Sequence, residues 1–349
     1  MGQQDPDPDP LPAQYSRLES LPVEIIQLIF LHCLEVNLPR ASPRLSNALA
    51  SPLLYTWLIR LAFSSTNPSS REGFFTSDFL PPPLDFWALS WEERQKLQTT
   101  LLACRWCTFS LFRRCQREYV AHAIRRKCAG LVFHQDDMSL LENLDARFDD
   151  VDGCDWAIDG RRGKGDLVLP AQLETDSTPS TSSSRIDRKV AIWFHFGAVQ
   201  IREPHEVYYE NDLFRLPCSV AIRPGRIPDK VLRSPWSDSQ FKFLQLLSTD
   251  FYLDEDEVSP ERSSEITYRL IRKRKIEPFR RLLRMPFRAA NCRVPARWPL
   301  QSSHYSLVRR YGSGSGDPFV MTILNERWND IPADAKEDLL RYIEPEGAT

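Results

Sequence analysis

The residues best placed to do chemistry are the cysteines and histidines that follow "CRWC". Cys104 and Cys107 stand close together, with Cys115, His122, Cys128 and His134 downstream, enough ligands for a zinc ion. A zinc knuckle holds its cysteine pair in a tight turn, however, and this pair falls inside an apolar helical pattern with both thiols on one face. The spacing therefore predicts core-filling cysteines and no metal. A thioredoxin-like redox pair would stand at a strand-to-helix junction, which the pattern does not show. The segment "GRRGKGD" (160–166) lacks the Gly-Lys-Ser/Thr order and the strand–helix frame of a phosphate loop, so it reads as a turn. His32, His122, His134, His195, His205 and His304 are far apart in sequence, and none has the serine, cysteine or paired-carboxylate setting of a catalytic group. No catalytic residue, cofactor or metal is expected.

A second constellation is basic. "RLIRKRKIEPFRRLLR" carries Arg269, Arg272, Lys273, Arg274, Lys275, Arg280, Arg281 and Arg284. Arg272, Arg274, Lys275, Arg280 and Arg281 are candidates for holding a phosphorylated or acidic substrate; the run could also serve as a nuclear-localisation signal. The competing reading is a solvated helix face balanced by "DEDE" (254–257). Nucleic acid is not expected, because no regular series of aromatics accompanies the cations.

The totals set the frame. The chain has 349 residues, 27 prolines and a net charge of −2, which favours two or three structural units and gives no global polyanion-binding signature. No run approaches a membrane span, and acidic Asp-Pro repeats occupy the front where a signal peptide would be positive. A cytoplasmic or nuclear location is expected, with the eight cysteines kept as thiols.

The elements that must position these residues can be read in order. Residues 1–15 form a proline-rich tail. In "LPVEIIQLIFLHCL", Ser20 is expected to cap a helix with Pro22 in its first turn and Glu24 near the positive end of its dipole. Ile25, Ile26, Ile29, Phe30, Cys33 and Leu34 give it a broad apolar face. Pro39 and Pro43 mark turns, Leu45 and Leu49 face one side, and Ser51-Pro52 starts a helix to Phe63. Three short helices thus fill 16–63, a unit set apart from the rest. In the helical region 64–128, Ser90 and Glu93 form a capping box. From there one amphipathic pattern runs to about Arg114, bringing Leu97, Leu101, Cys104 and Phe112 together, and a further helix reaches Lys127. Region 129–235 is mixed, with a flexible insert at 174–185 and a β-hairpin at 188–203 around Gly197. Ser237 is expected to cap a helix bearing Phe241, Leu244 and Leu247. In 236–345, "EITYRLIRKRKIEPFRRLL" and "SSHYSLVRRYGSGSGDPFVMTIL" repeat a helix–break–helix order, with Phe279 and Phe319 at like places about forty residues apart. A stack of helical hairpins follows, with residues 328–342 as its cap. The fold class is mainly α.

The pattern "LPVEIIQLIFLHCLEVNLPRASPRLSNALASPLLYTWLI" resembles an F-box: Leu-Pro, an acidic residue, paired large aliphatics, then two more short helices. Leu21, Pro22, Glu24, Ile25, Ile26, Ile29 and Phe30 match its first helix in kind and spacing. It is similar to the F-box of filamentous fungal proteins, in which "NLPRASPRLSNALAS" replaces the usual Val-Cys-Arg-x-Trp segment, leaving Leu45 and Leu49 to fill that part of the core. "DRKVAIWFHFGAVQIREPHEVYYENDLFRLPC" and "PDKVLRSPW" also resemble those proteins. The terminal helical pairs resemble degenerate ankyrin repeats without the Thr-Pro-Leu-His signature. The resemblance implies a non-enzymatic adaptor of a Skp–cullin–F-box ubiquitin ligase. Leu21, Pro22, Ile25, Ile26, Ile29, Phe30, Leu34, Leu38, Pro39, Leu45 and Leu49 would contact the Skp adaptor, and through it a cullin. The ankyrin-like array would hold a protein substrate. The rival expectation is a scaffold protein whose front helices pack on its own body.

Overall fold

The computed structural model describes residues 16–67, 70–71, 73–152, 167–173, 186–204, 213–219, 224–233, 235–256, 258–291, 295–314 and 316–343. The tail 1–15, the insert 174–185, the turn 160–166, His205, Cys154, Cys292 and Glu257 lie outside them. The fold is mainly helical with a small antiparallel sheet. No helix among the described residues is long and apolar enough to cross a membrane.

The front of the chain folds as α1 (Val23–Cys33), α2 (Pro43–Leu49) and α3 (Pro52–Phe63). Pro22, not Ser20, is the N-cap of α1; the Ser20 hydroxyl donates instead to the Arg17 carbonyl in a preceding turn. Pro43 opens α2 behind a Ser42 cap whose hydroxyl accepts from Leu45 N–H at 3.2 Å, a better use of proline than a bare turn.

The expected helix from Ser90 to about Arg114 is two helices, α4 (Trp91–Ala103) and α5 (Phe109–Lys127). Its start is as read, with Glu93 N–H donating to Ser90 Oγ and Ser90 N–H to the Glu93 carboxylate. Its interruption is held from outside: the Lys230 ammonium donates to the carbonyls of Cys104 and, at 2.6 Å, Cys107. Thr108 then caps α5. The cysteine pair therefore sits in a turn between helices rather than on one helical face.

A five-stranded meander follows, β1 (Leu131–Val132), β2 (Leu167–Leu173), β3 (Ile186–Trp193), β4 (Ala198–Arg202) and β5 (Leu213–Arg215), paired in chain order, with two short helices, α6 (Gln135–Glu142) and α7 (Leu144–Asp152), between β1 and β2. The predicted hairpin is β3–β4. Gly197 in its turn has φ +56°, and a Cβ there would lie 2.5 Å from Gln116 Cγ and 2.6 Å from the Leu216 carbonyl, so only glycine fits.

After α8 (Asp238–Ser248), capped by Ser237 as expected, come two helical hairpins, α9 (Glu261–Arg272) with α10 (Ile276–Arg284) and α11 (Ser302–Tyr311) with α12 (Pro318–Arg327). A two-residue ladder, β6 (Pro286–Phe287) with β7 (Ala296–Arg297), lies between them. α9 packs on α11 and α10 on α12, and α13 (Ala333–Ile343) closes against α11. Phe279 and Phe319, matched in the sequence pattern, meet with ring centroids 5.0 Å apart.

One continuous apolar core runs from Ile26 to Leu339. The expectation of a detached front unit is corrected by α3, whose Leu54, Leu58, Ile59, Leu61 and Phe63 are buried. Phe63 meets Phe112 of α5 at 5.0 Å and Phe251, just after α8, at 5.9 Å.

A candidate partner-docking face

Helix α1 has two apolar faces, and only one is used. Ile26, Phe30 and Leu31 turn inward, with Leu45 and Leu49 of α2 also in the core, and Gln27 Nε2 ties the pair by donating to the Ala48 carbonyl at 2.9 Å. Val23, Ile25, Leu28 and Ile29 remain 46, 42, 43 and 36% exposed. Ile25, Leu28 and Ile29 recur at three and four residues and so form one stripe. Leu53, in the first turn of α3, is 55% exposed. Isolated exposed aliphatics are ordinary, but a helical stripe of them marks a contact surface.

The eleven residues expected at a partner interface thus divide. Pro22, Ile25 and Ile29 are exposed, and Leu21, Leu34, Leu38 and Pro39 are half-buried. Ile26, Phe30, Leu45 and Leu49 belong to the chain's own core, a correction whose reason is the packing of α1 on α2. Val23, Leu28 and Leu53 were missed. Leu28 stands three residues after Ile25, and that spacing was the available signal. Full burial of a large aliphatic is worth about 1.5–3 kcal/mol, so covering the remaining two-fifths of four such side chains yields roughly 2.5–5 kcal/mol. Micromolar affinity needs about 8 kcal/mol. A partner must therefore reach beyond this stripe, for which Pro22 and Leu53 offer additional exposed apolar surface.

The other constellations resolve into structure. Burial pushes the Cys107, Cys115 and Cys128 thiols up to about 12, so they stay protonated. Among the described residues no three His, Cys, Asp or Glu side chains gather as a metal site would require. His122 Nε2 meets the Phe74 carbonyl at 2.5 Å and its ring stacks on Phe79 at 4.1 Å. His304 Nδ1 accepts from Gln301 N–H at 3.0 Å while Nε2 donates to the Ser264 carbonyl at 3.3 Å, a pattern that requires the neutral ring. Burial lowers the pKa of both histidines.

The basic run is not balanced as the sequence suggested. Asp254 is buried and accepts from Arg262 N–H, Ser263 N–H and Ser263 Oγ at the start of α9. The arginines instead find other partners, some on their own helix and some on distant elements. Arg274, in the left-handed region at φ +52°, reaches Asp317 at 2.5 Å and stacks over Phe319. Arg281 pairs with Asp238 and lies over Phe241, Arg280 pairs with Glu277, and Arg284 with Glu326. Asp317 is fully buried. Burial works to raise its pKa, but the Arg274 guanidinium and the N–H groups of Ser313, Phe319 and Val320 outweigh it and hold the carboxyl low. Arg274 and Arg281 are thus struts between elements, which corrects their assignment as free substrate contacts.

Comparison of the chain with family models, with curated proteins and with solved structures finds no match.

Proposed function

We propose that the chain is a substrate-holding adaptor of a Skp–cullin–F-box ubiquitin ligase, acting in the cytoplasm or nucleus without catalytic residues of its own. The observation that carries this reading is the outward stripe Ile25–Leu28–Ile29 on a proline-started helix whose other face is already packed. The resemblance of 21–59 to a fungal-type F-box supplies the partner class, a Skp adaptor and through it a cullin. The stacked hairpins α9–α12, closed by α13, are the ankyrin-like array that would hold the substrate. Holding two proteins together supplies proximity, and transfer of ubiquitin is left to the partners.

Co-expression with a Skp adaptor tests the reading. Wild type is expected to co-purify with it, whereas Ile25→Asp/Ile29→Asp retains its melting temperature and loses the adaptor. Equal recovery of adaptor with both proteins would reject the proposal. A second reading, a scaffold outside any ligase, is favoured by the seamless packing of α3 into the body through Phe63. That reading predicts no adaptor with either protein.

A further inference from the structure

The cations around the α9–α10 turn fall into two populations. Arg274, Arg280, Arg281 and Arg284 are committed to carboxylates. Arg272, Lys273 and Lys275 are exposed, and no acidic partner stands within ion-pair distance of them among the described residues. They are not needed to finish the helix either. The carbonyls of Arg269, Leu270 and Ile271 already accept the N–H groups of Lys273, Lys275 and Arg274, a Schellman-type ending. Drawing the Arg274 guanidinium back onto Asp317 also sets this turn beside the one before α12. Arg310, exposed in the last turn of α11, lies at the same end, because α11 packs beside α9 and each helix runs into one of those joined turns.

We propose that this end of the hairpin stack binds an acidic peptide segment through Arg272, Lys273, Lys275 and Arg310. Tyr268, 38% exposed and one turn before Arg272 on the same helix face, offers a flat apolar contact for the peptide's stem. A single exposed aromatic gives no ladder for stacked bases, and the chain's −2 net charge gives no long-range attraction for a polyanion, so a short acidic peptide fits better than nucleic acid. The inference names the substrate chemistry of the adaptor reading. Its test involves no Skp adaptor, so either can fail alone.

The test is fluorescence anisotropy of the full chain with a short labelled Glu/Asp-rich peptide. Binding is expected to weaken with added salt. The charge reversal Arg272→Glu/Lys275→Glu should weaken it by about tenfold or more, as should Lys273→Glu/Arg310→Glu, whose residues lie on different hairpins. Arg105→Glu/Arg147→Glu, an equal change of charge at exposed positions on other elements, should cost about twofold or less. Circular dichroism confirms that the variants are folded. Absence of peptide binding, equal loss in all three variants, or tighter binding of an oligonucleotide of the same charge would each overturn the proposal.

Discussion

Phe30 and Ile25 lie on one helix and have opposite duties. Phe30→Ala empties a core position and is expected to cost about 3–5 kcal/mol in a urea titration. Ile25→Asp touches a half-open surface and should shift the same titration by about 0.5 kcal/mol or less. Arg274 shows a third kind of residue. A left-handed arginine carries backbone strain of about 1–2 kcal/mol, tolerated because its head group neutralises buried Asp317 and covers Phe319. Arg274→Gly relieves that strain and still leaves an unpaired buried carboxylate. A net loss of about 2 kcal/mol is expected, less than for a fully buried pair because the guanidinium is partly in water. The histidines set an acid limit. The folded-state pKa values of His122 and His304 lie below the ordinary 6.5, so below that value the unfolded chain binds more protons than the folded one. Stability is complete above pH 6.5 and falls as the pH drops through the lowered folded-state values. The depressed carboxylates, Asp317 and Glu326 among them, add a second loss as the pH falls below about 4. Urea midpoints measured between pH 8 and pH 3 check both windows.

At the scale of elements, local chemistry was legible at several helix starts written into consecutive residues. The Ser90/Glu93 box, the Ser237 cap and the Ser51-Pro52 start all appear in place. Gly197 was legible as the hairpin turn, and Gly197→Ala is expected to cost more than about 2 kcal/mol by thermal melting, since φ and space both forbid a side chain. Two local starts came out differently, Pro22 rather than Ser20 capping α1 and Ser42-Pro43 opening α2, and the other failures depended on a distant residue. The break between α4 and α5 is fastened by Lys230, more than a hundred positions away, while the local pattern continues as if helical. Strands β1, β2 and β5 pair with partners across long intervening segments, and a two- or three-residue strand has too few positions to show alternation. The stripe on α1 was seen as apolar, but its division into an inner and an outer face needed α2 in place, because a broad apolar face does not say which half is covered first.

For the whole molecule, the continuous core changes what can be cut away. A fragment ending at Phe63 would expose Leu54, Leu58, Ile59, Leu61 and Phe63 together, and it is expected to show little helix by circular dichroism and to aggregate. A folded, monomeric 16–63 fragment would show instead that the front helices are autonomous. The clasp of α3 between α5 and the residues after α8 has a mechanical corollary. Through Phe63 and the continuous core, the helix that carries the stripe is joined to the hairpin stack that carries the cationic end. Under the proposed adaptor reading, cargo held by the hairpin stack would meet machinery docked on α1 in a restricted orientation, so orientation as much as affinity would govern which of its lysines come within range.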